Sequence, residues 1–362
     1  MKKLAVMTWF HYPNFGTSLQ VFALSNIVSS LGYNVDIINY IPIKKNLFFR
    51  ILHAFKNRII KGNNAITAEK AKANFEGFIN KLKFTKKCQS PIDFEIINNK
   101  YDAFICGSDQ IWSPTCFDEK YFLSFVKHND KKIAYAPSIG VKKIVDKKIA
   151  NKMASLISDF KYLSIRENEG AELINELCGL KPQVVLDPTL LYDKEQWKRI
   201  ANISETEERY ILCYFLGNNK AHWDNVTRIS EELKLPVKVI PVYKKDFTRD
   251  FDVQDDVGPE EFLSLIYNSA FVCTDSFHGL AFSIIFNKPF YAFERFSNAD
   301  KKSQNSRIHN LLQIVELKDR LIPFGKDLQS LNFNIDFKNA INLLEKQRQQ
   351  SLNYLKGVLE NV

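Results

Sequence analysis

The stretch Phe271-Val-Cys-Thr-Asp-Ser-Phe-His-Gly-Leu-Ala-Phe-Ser-Ile-Ile-Phe-Asn-Lys-Pro-Phe290 decides how the chain is read. Phe271 to Cys273 is a short apolar run, the pattern of a strand buried on both faces. Thr274, Asp275 and Ser276 are small and polar, and His278-Gly279 follows. Leu280 to Phe286 suits a buried helix, which Pro289 cannot continue. A strand that passes through a short polar loop into a helix gathers free N–H groups at one point, where the helix dipole favours an anion. Ser276 and Gly279 are expected to touch such a ligand. His278, at its mouth, can donate to phosphate and exchange protons near neutral pH. The plain alternative is an ordinary satisfied histidine at a helix start.

The same alternation runs through the chain. Leu4–Trp9, Val35–Tyr40, Tyr101–Cys106, Lys132–Ala136, Lys161–Ile165 and Pro182–Leu186 read as strands, each followed by small or polar residues. A second succession follows: Arg209–Leu216, Val237–Val242, Phe271–Cys273 and Pro289–Phe293. Helices are expected over Leu19–Ser30, Glu169–Leu177, His222–Leu233, Pro259–Asn268, Arg307–Val315 and Phe337–Val362. Strands alternating with helices predict parallel sheets. The expected class is therefore α/β, with two Rossmann-like domains facing a cleft and the C-terminal helix packing back on the first. The domains are placed at 1–192 and 193–335, with the helix over 336–362.

Composition narrows the classes. A chain of 362 residues, 45% hydrophobic and 25% charged, is long enough for two cores. Six scattered cysteines without a CxxC pair fit buried reduced thiols in a cytoplasmic protein, and metal-ligand spacing is absent. No apolar run approaches the ~20 residues needed to span a bilayer. The net charge of +9 is uneven: between Asp36 and Glu69 there is no acidic residue. Lys44, Lys45, Arg50, Lys56, Arg58 and Lys61 there alternate with Leu47, Phe48, Ile51, Leu52, Phe55, Ile59 and Ile60. Residues 42–89 are expected to be a largely helical excursion from the first sheet. A basic amphipathic helix of this kind fits peripheral contact with an anionic membrane surface, or a solvated cationic face packed by its apolar side. No recognition motif for nucleic acid accompanies the charge.

Further strand-end loops hold candidate ligand groups. Arg166 follows a strand directly, and a guanidinium matches carboxylate or phosphate; the structural alternative is an ion pair with Glu167 or Asp159. Asp109 stands in Gly107-Ser108-Asp109-Gln110, either as a base or as a turn-forming aspartate. Neither GxGxxG nor a P-loop occurs.

Six segments together resemble the polysaccharide pyruvyl transferase family. They are Asn14-Phe-Gly-Thr-Ser-Leu-Gln20, Gly107-Ser-Asp-Gln-Ile-Trp112, Tyr135-Ala-Pro-Ser-Ile-Gly140, Leu163-Ser-Ile-Arg-Glu-Asn168, Val185-Leu-Asp-Pro-Thr189 and Thr274-Asp-Ser-Phe-His-Gly279. The resemblance implies a GT-B-like fold. It implies transfer of a pyruvyl group from phosphoenolpyruvate, as co-substrate and without a further cofactor, to a sugar or lipid-linked oligosaccharide of a surface polysaccharide. The products are a pyruvate ketal and phosphate. His278 is then the expected acid and Asp109 the expected base. Arg166, Ser276, Gly279 and one of Arg295 or Arg307 are expected on the donor. Asn14, Gly16, Ser108 and Gln110 are expected on the acceptor side. Two other functions are open at this point: a glycosyltransferase using a nucleotide sugar, and a non-catalytic sugar- or phosphate-binding module.

Overall fold

The computed structural model describes residues 1–42, 65–297, 299–300, 303–328 and 330–362. The basic run from Lys44 to Lys61, and its expected helix, lie outside the described residues. Two units are present. Among the described residues, 1–42, 79–191 and 346–362 form the first, and 65–78 with 192–345 the second.

The first unit carries strands β1 (Lys3–Met7), β2 (Asn34–Ile37), β3 (Ala103–Cys106), β4 (Lys132–Ala134), β5 (Tyr162–Ile165) and β6 (Gln183–Val184). They form one six-stranded sheet in the order β2-β1-β3-β4-β5-β6, every neighbouring pair parallel. Parallel strands are covered on both faces, which is why Leu4–Met7 and Ala103–Cys106 are uninterrupted apolar runs, all fully buried. Helices α1 (Phe15–Ser30), α2 (Ala65–Ile79), α3 (Pro91–Lys100), α4 (Lys147–Ser158) and α5 (Asn168–Cys178) follow in chain order. All but α2 belong mainly to this unit.

The second unit contains β7 (Ile211–Tyr214), β8 (Val237–Val239), β9 (Asp252–Val253), β10 (Phe271–Thr274), β11 (Phe290–Phe293) and β12 (Leu321–Ile322). Their order is β12-β11-β10-β7-β8-β9, again parallel throughout. Helices α6 (Lys194–Ile200), α7 (Lys220–Leu233), α8 (Pro259–Asn268), α9 (Phe277–Ile285), α10 (Ser306–Ile314) and α11 (Phe337–Glu360) complete the chain. The α/β class and the two parallel sheets are as expected. Among the described residues no helix is long and apolar enough to cross a membrane.

Two local readings are corrected. The excursion is helical over α2, but Phe84 and Cys88 run extended, bridging Ile37 and Tyr40. Helix α2 also groups with the second unit rather than the first: Lys70 pairs with Asp256, and Asn74 Nδ2 donates to the Asp256 carbonyl at 2.9 Å. The expected domain boundary at 192/193 falls at the start of α6, where Asp193 and Gln196 form a reciprocal capping box. From Lys346 on, α11 and the two residues after it belong to the first unit. There Ser351 Oγ accepts from Leu186 N (3.0 Å) and Arg348 Nε donates to the Leu190 carbonyl (2.9 Å).

Strand order marks the switch points, where open α/β sheets generally take their ligands. In the first sheet the chain steps from β1 out to β2, then returns to the other side of β1 as β3. In the second it steps from β7 to β8 and β9, then returns to the other side of β7 as β10. At such a switch point the two following loops part in opposite directions and leave a crevice at the carboxyl ends of the strands. The residues in question are the loops after β1 and β3, and those after β7 and β10.

Candidate functional site

At the first switch point, the loop Gly107–Trp112 leaves β3 beside the loop Thr8–Asn14 that leaves β1. Gln20, fully buried in α1, joins them. Its Nε2 donates to Thr8 Oγ1 (3.1 Å) and its Oε1 accepts from Ser108 N (3.0 Å). Thr8 Oγ1 in turn donates to the Ser108 carbonyl at 3.0 Å. Asp109 then takes a left-handed backbone, φ 70°, which an aspartate tolerates better than most residues. Its Oδ2 accepts from Thr17 Oγ1 at 2.6 Å and its Oδ1 from Gln110 N at 2.8 Å. Asn14 caps α1 by accepting from Thr17 N (3.0 Å), which brings Thr17 to the first turn facing Asp109; Gly16 is buried in that turn. Gln110 carries a buried Nε2 without a partner among the described residues. Gly107 is required: at φ 123°, a Cβ there would lie 1.9 Å from the Tyr135 carbonyl oxygen.

Arg166 stands at the carboxyl end of β5, as expected, but it is only 4% exposed. Nη1 donates to Asp187 Oδ2 at 2.7 Å, and Nε lies 3.8 Å from Glu167 Oε2. Burial alone would lower the pKa of the guanidinium, but Asp187 first, then Glu167 and Asp109, carry it above the ordinary value. Asp187, fully buried, also accepts from Ser108 Oγ (2.9 Å) and from the amide and hydroxyl of Thr189 (3.0 and 2.8 Å). Glu167 Oε1 collects Ser138 Oγ, Ile139 N and Gly140 N at 2.9–3.2 Å. The structure thus supplies Arg166 with two carboxylates of its own, and Asp187 connects it to the Ser108–Asp109 loop. Of the two ion-pair partners suggested by sequence, Glu167 is a neighbour. Asp159 instead pairs with Lys132 at 3.0 Å.

In the second unit, α9 begins directly after β10. Ser276 caps it, accepting from Gly279 N at 3.3 Å, and His278 lies in its first turn, 7% exposed, with its ring edge-on to Phe277 at 5.1 Å. Gly279 is there for packing: a Cβ would come within 2.4 Å of Thr274 Oγ1, which is fixed by donating to the Tyr214 carbonyl (2.7 Å). Asp275 spans the switch. Its carboxylate accepts from Leu216 N (2.6 Å) and Gly217 N (2.7 Å), tying the loop after β10 to the loop after β7. Arg295, after β11, reaches the same place, donating to the Asp275 carbonyl (3.2 Å) with Nε 3.7 Å from its carboxylate. With Asp275 already held by two short N–H bonds, Arg295 is a loosely attached cation. Arg307, in the first turn of α10 and 8% exposed, donates to Gln304 Oε1 at 3.0 Å.

The sequence-derived residues thus separate into two sets. Asn14, Gly16, Ser108, Asp109, Gln110 and Arg166 gather in the first unit, and Ser276, His278, Gly279, Arg295 and Arg307 in the second. Sequence reasoning gave no role to Thr17, Gln20 and Asp187, which hold Asp109 and its loop. It also passed over His222, 2% exposed, whose Nε2 bonds the Glu294 carbonyl at 3.2 Å. Thr17 had a signal, three residues after the capping Asn14. Asp187 had one in the Asp-Pro step after a strand.

No curated protein sequence matches the chain. Solved structures similar to it include a UDP-GlcNAc 2-epimerase from Methanocaldococcus jannaschii, at 12% identity and TM-score 0.47, covering 95% of this chain and 92% of that one. Another is the E. coli heptosyltransferase WaaC with ADP, at 13% identity and TM-score 0.43, covering 96% and 100%. MurG from Acinetobacter baumannii is similar at 11% identity and TM-score 0.45 over the whole of both chains. The family model for polysaccharide pyruvyl transferase matches residues 14–298, a span that runs from the cap of α1 past Arg295 and leaves Arg307 outside. That span covers more than half of the chain, and the chain belongs to the polysaccharide pyruvyl transferase family.

Proposed function

We propose that the chain transfers a pyruvyl group from phosphoenolpyruvate to a sugar of a surface polysaccharide or its lipid-linked precursor, acting in the cytoplasm at the inner face of the membrane. Family membership carries the reading, and the chemistry of His278 and Arg295 at one switch point supports it. In the reaction, C3 of the enol gains a proton, the C2–O bond to phosphate breaks, and two sugar hydroxyls form C–O bonds to C2. Of the two hydroxyl protons released, one balances the proton gained at C3 and the other leaves with phosphate. His278 is assigned as the acid for C3 or the departing phosphate, a role imidazole chemistry suits.

The donor carries a carboxylate and a phosphate, so it needs cationic or helix-terminal partners. The α9 N-terminus with its Ser276 cap supplies one. Arg295 supplies another, being loosely held and inside the matched span; Arg307 is the alternative. Arg166, matched by Asp187 and Glu167, serves the site by fixing the Ser108–Asp109 loop and reaches donor only if Asp187 yields it. Asp109 is assigned as the base for the attacking hydroxyl, and its charge also stabilises oxocarbenium character at C2. The test is phosphate release from phosphoenolpyruvate with candidate sugars, parent against His278→Ala. The expected loss is roughly 10²–10⁴-fold, the usual contribution of a general acid. Turnover of a nucleotide sugar, with none of phosphoenolpyruvate and any acceptor, overturns the proposal.

A further inference from the structure

Helix α7 and the segment from Lys244 to Phe251, which follows β8, enclose a groove of about 610 Å³, a volume within the range of small-molecule sites. Both walls belong to the second unit, and none of the residues lining the groove takes part in the reaction above. One wall carries a mounted cation. The Arg249 guanidinium lies over the Trp223 ring at 3.9 Å, and its Nε donates to Asp246 Oδ1 at 3.4 Å. Asp246, 2% exposed, is itself fixed by accepting from Val242 N (3.0 Å) and Tyr243 N (2.8 Å). Both terminal nitrogens of Arg249 are left without a hydrogen bond among the described residues. Lys245, on the same wall, is exposed and has no ion-pair partner among the described residues. Desolvation first, and then the charge of Arg249, lower its pKa from the ordinary lysine value, so an anion between the two cations relieves their repulsion. On the facing wall Lys220 holds both oxygens of Asp224, at 3.0 and 2.8 Å, and that pair is already matched.

The remaining polar groups of the groove are acceptors. Thr248 Oγ1 donates to the Lys245 carbonyl at 2.9 Å, and Thr227 Oγ1 to the Trp223 carbonyl at 3.2 Å. Each hydroxyl has thereby committed its one hydrogen and can take a ligand only as an acceptor. The exposed Asp250 carboxylate, likewise without an ion-pair partner among the described residues, accepts only. A simple inorganic anion would satisfy Lys245 and Arg249 and leave these three groups unmet, and an apolar ligand would satisfy neither set. A sugar with an acidic substituent satisfies both: its hydroxyls donate to Thr227, Thr248 and Asp250, and its anionic group takes Lys245 and the free edge of Arg249. We propose that this groove is a binding site for an acidic saccharide, a sugar ring bearing a carboxylate or a phosphate. The proposal does not depend on the reaction assigned above.

Isothermal titration of the full chain with glucuronate, glucose 6-phosphate, glucose and inorganic phosphate, in the parent and in Lys245→Ala and Thr248→Val, tests this. Saturable binding of glucuronate or of glucose 6-phosphate is expected, with glucose and inorganic phosphate each at least about tenfold weaker than the better acid sugar. Which of the two acid sugars binds more tightly tells whether the anionic group is a carboxylate or a phosphate. Lys245→Ala alters an exposed, unpaired side chain and leaves the fold intact; it should weaken the acid sugar about tenfold and leave glucose as it was. Thr248→Val should weaken the acid sugar and leave inorganic phosphate as it was. No saturable binding of either acid sugar overturns the proposal. Undiminished affinity in Lys245→Ala places the binding elsewhere on the chain and overturns it too. Inorganic phosphate bound as tightly as glucose 6-phosphate makes the groove a plain anion site and overturns the assignment of a saccharide.

Discussion

Replacing Arg166 by methionine tests how much of the first unit's stability depends on its buried ion pair. Methionine has nearly the length of the arginine stem but no charge. It leaves Asp187, fully buried, and Glu167, 1% exposed, without the cation between them. Breaking a buried pair by removing one partner costs about 3–5 kcal/mol, because the remaining charge stays desolvated. Asp187 keeps Ser108 Oγ and Thr189, so part of its need is still met and the lower half of that range is expected. Hydrogen exchange of peptides covering β4 and β5 reads this directly, with peptides covering β7 as the internal reference. A loss of about 3 kcal/mol corresponds to roughly two decades faster exchange in the first unit alone. Adding Asp187→Asn to Arg166→Met removes one of the stranded charges, so the two losses must be strongly non-additive. Exchange within one decade of the parent, or additive losses, would refute the assignment of Arg166 to the pair.

Gly107→Ala should destabilise by upwards of about 4 kcal/mol and leave the protein in the insoluble fraction, since its Cβ would strike a backbone oxygen at 1.9 Å and its φ is 123°. A soluble variant with the parental melting temperature would contradict that. His222 gives a pH dependence whose sign is fixed. Burial, the largest influence, lowers its pKa in the fold below the ordinary 6.5, so below that pH the unfolded chain binds more protons. Stability should therefore fall as pH drops from about 6.5, with a slope of at most about 1.4 kcal/mol per pH unit, and His222→Gln should flatten it. Equal slopes in urea titrations of the two proteins would dispose of the idea.

Much of the fold was legible because parallel strands are buried on both faces and therefore appear as short apolar runs. Phe271–Cys273 and Ala103–Cys106 are such runs, and Thr274-Asp275 and Gly107 mark where they stop. Strands β9 and β12, two residues each, were not read; β6 is as short but was legible inside the apolar run Val184–Leu186. Helix α4 was missed for a different reason. It carried a signal that was passed over: Ile149, Met153, Leu156 and Ile157 stand at the spacing of one helix face after the capping Asp146. Partner choice was least legible. The guanidinium of Arg166 meets a carboxylate twenty-one residues on rather than its near neighbour Asp159, because strand order, not chain distance, decides what stands beside the end of β5. For Asp109 the sequence offered a turn former or a base. The left-handed backbone and the Gln110 N–H establish the turn, and the geometry leaves the second role compatible with it.

The two units treat their strand-end aspartates alike, and this bears on which acidic residues can do chemistry. Asp187 in the first and Asp275 in the second are both fully buried, and each spends both carboxylate oxygens on loop donors at 2.6–3.0 Å. A carboxylate so engaged is a poor base: taking a proton would break bonds that hold two loops together. What such a residue can do is fix its neighbours. Asp187 holds Ser108, one residue from Asp109, and Asp275 holds Arg295 and begins the turn that carries His278. The conspicuous Asp-Pro and Thr-Asp-Ser signatures therefore mark anchors, and the reactive groups are to be sought one to three residues away. Asp109 also accepts one hydrogen bond on each oxygen, but from the Thr17 hydroxyl and its own neighbour's amide, and at 7% exposure it is less enclosed than either anchor.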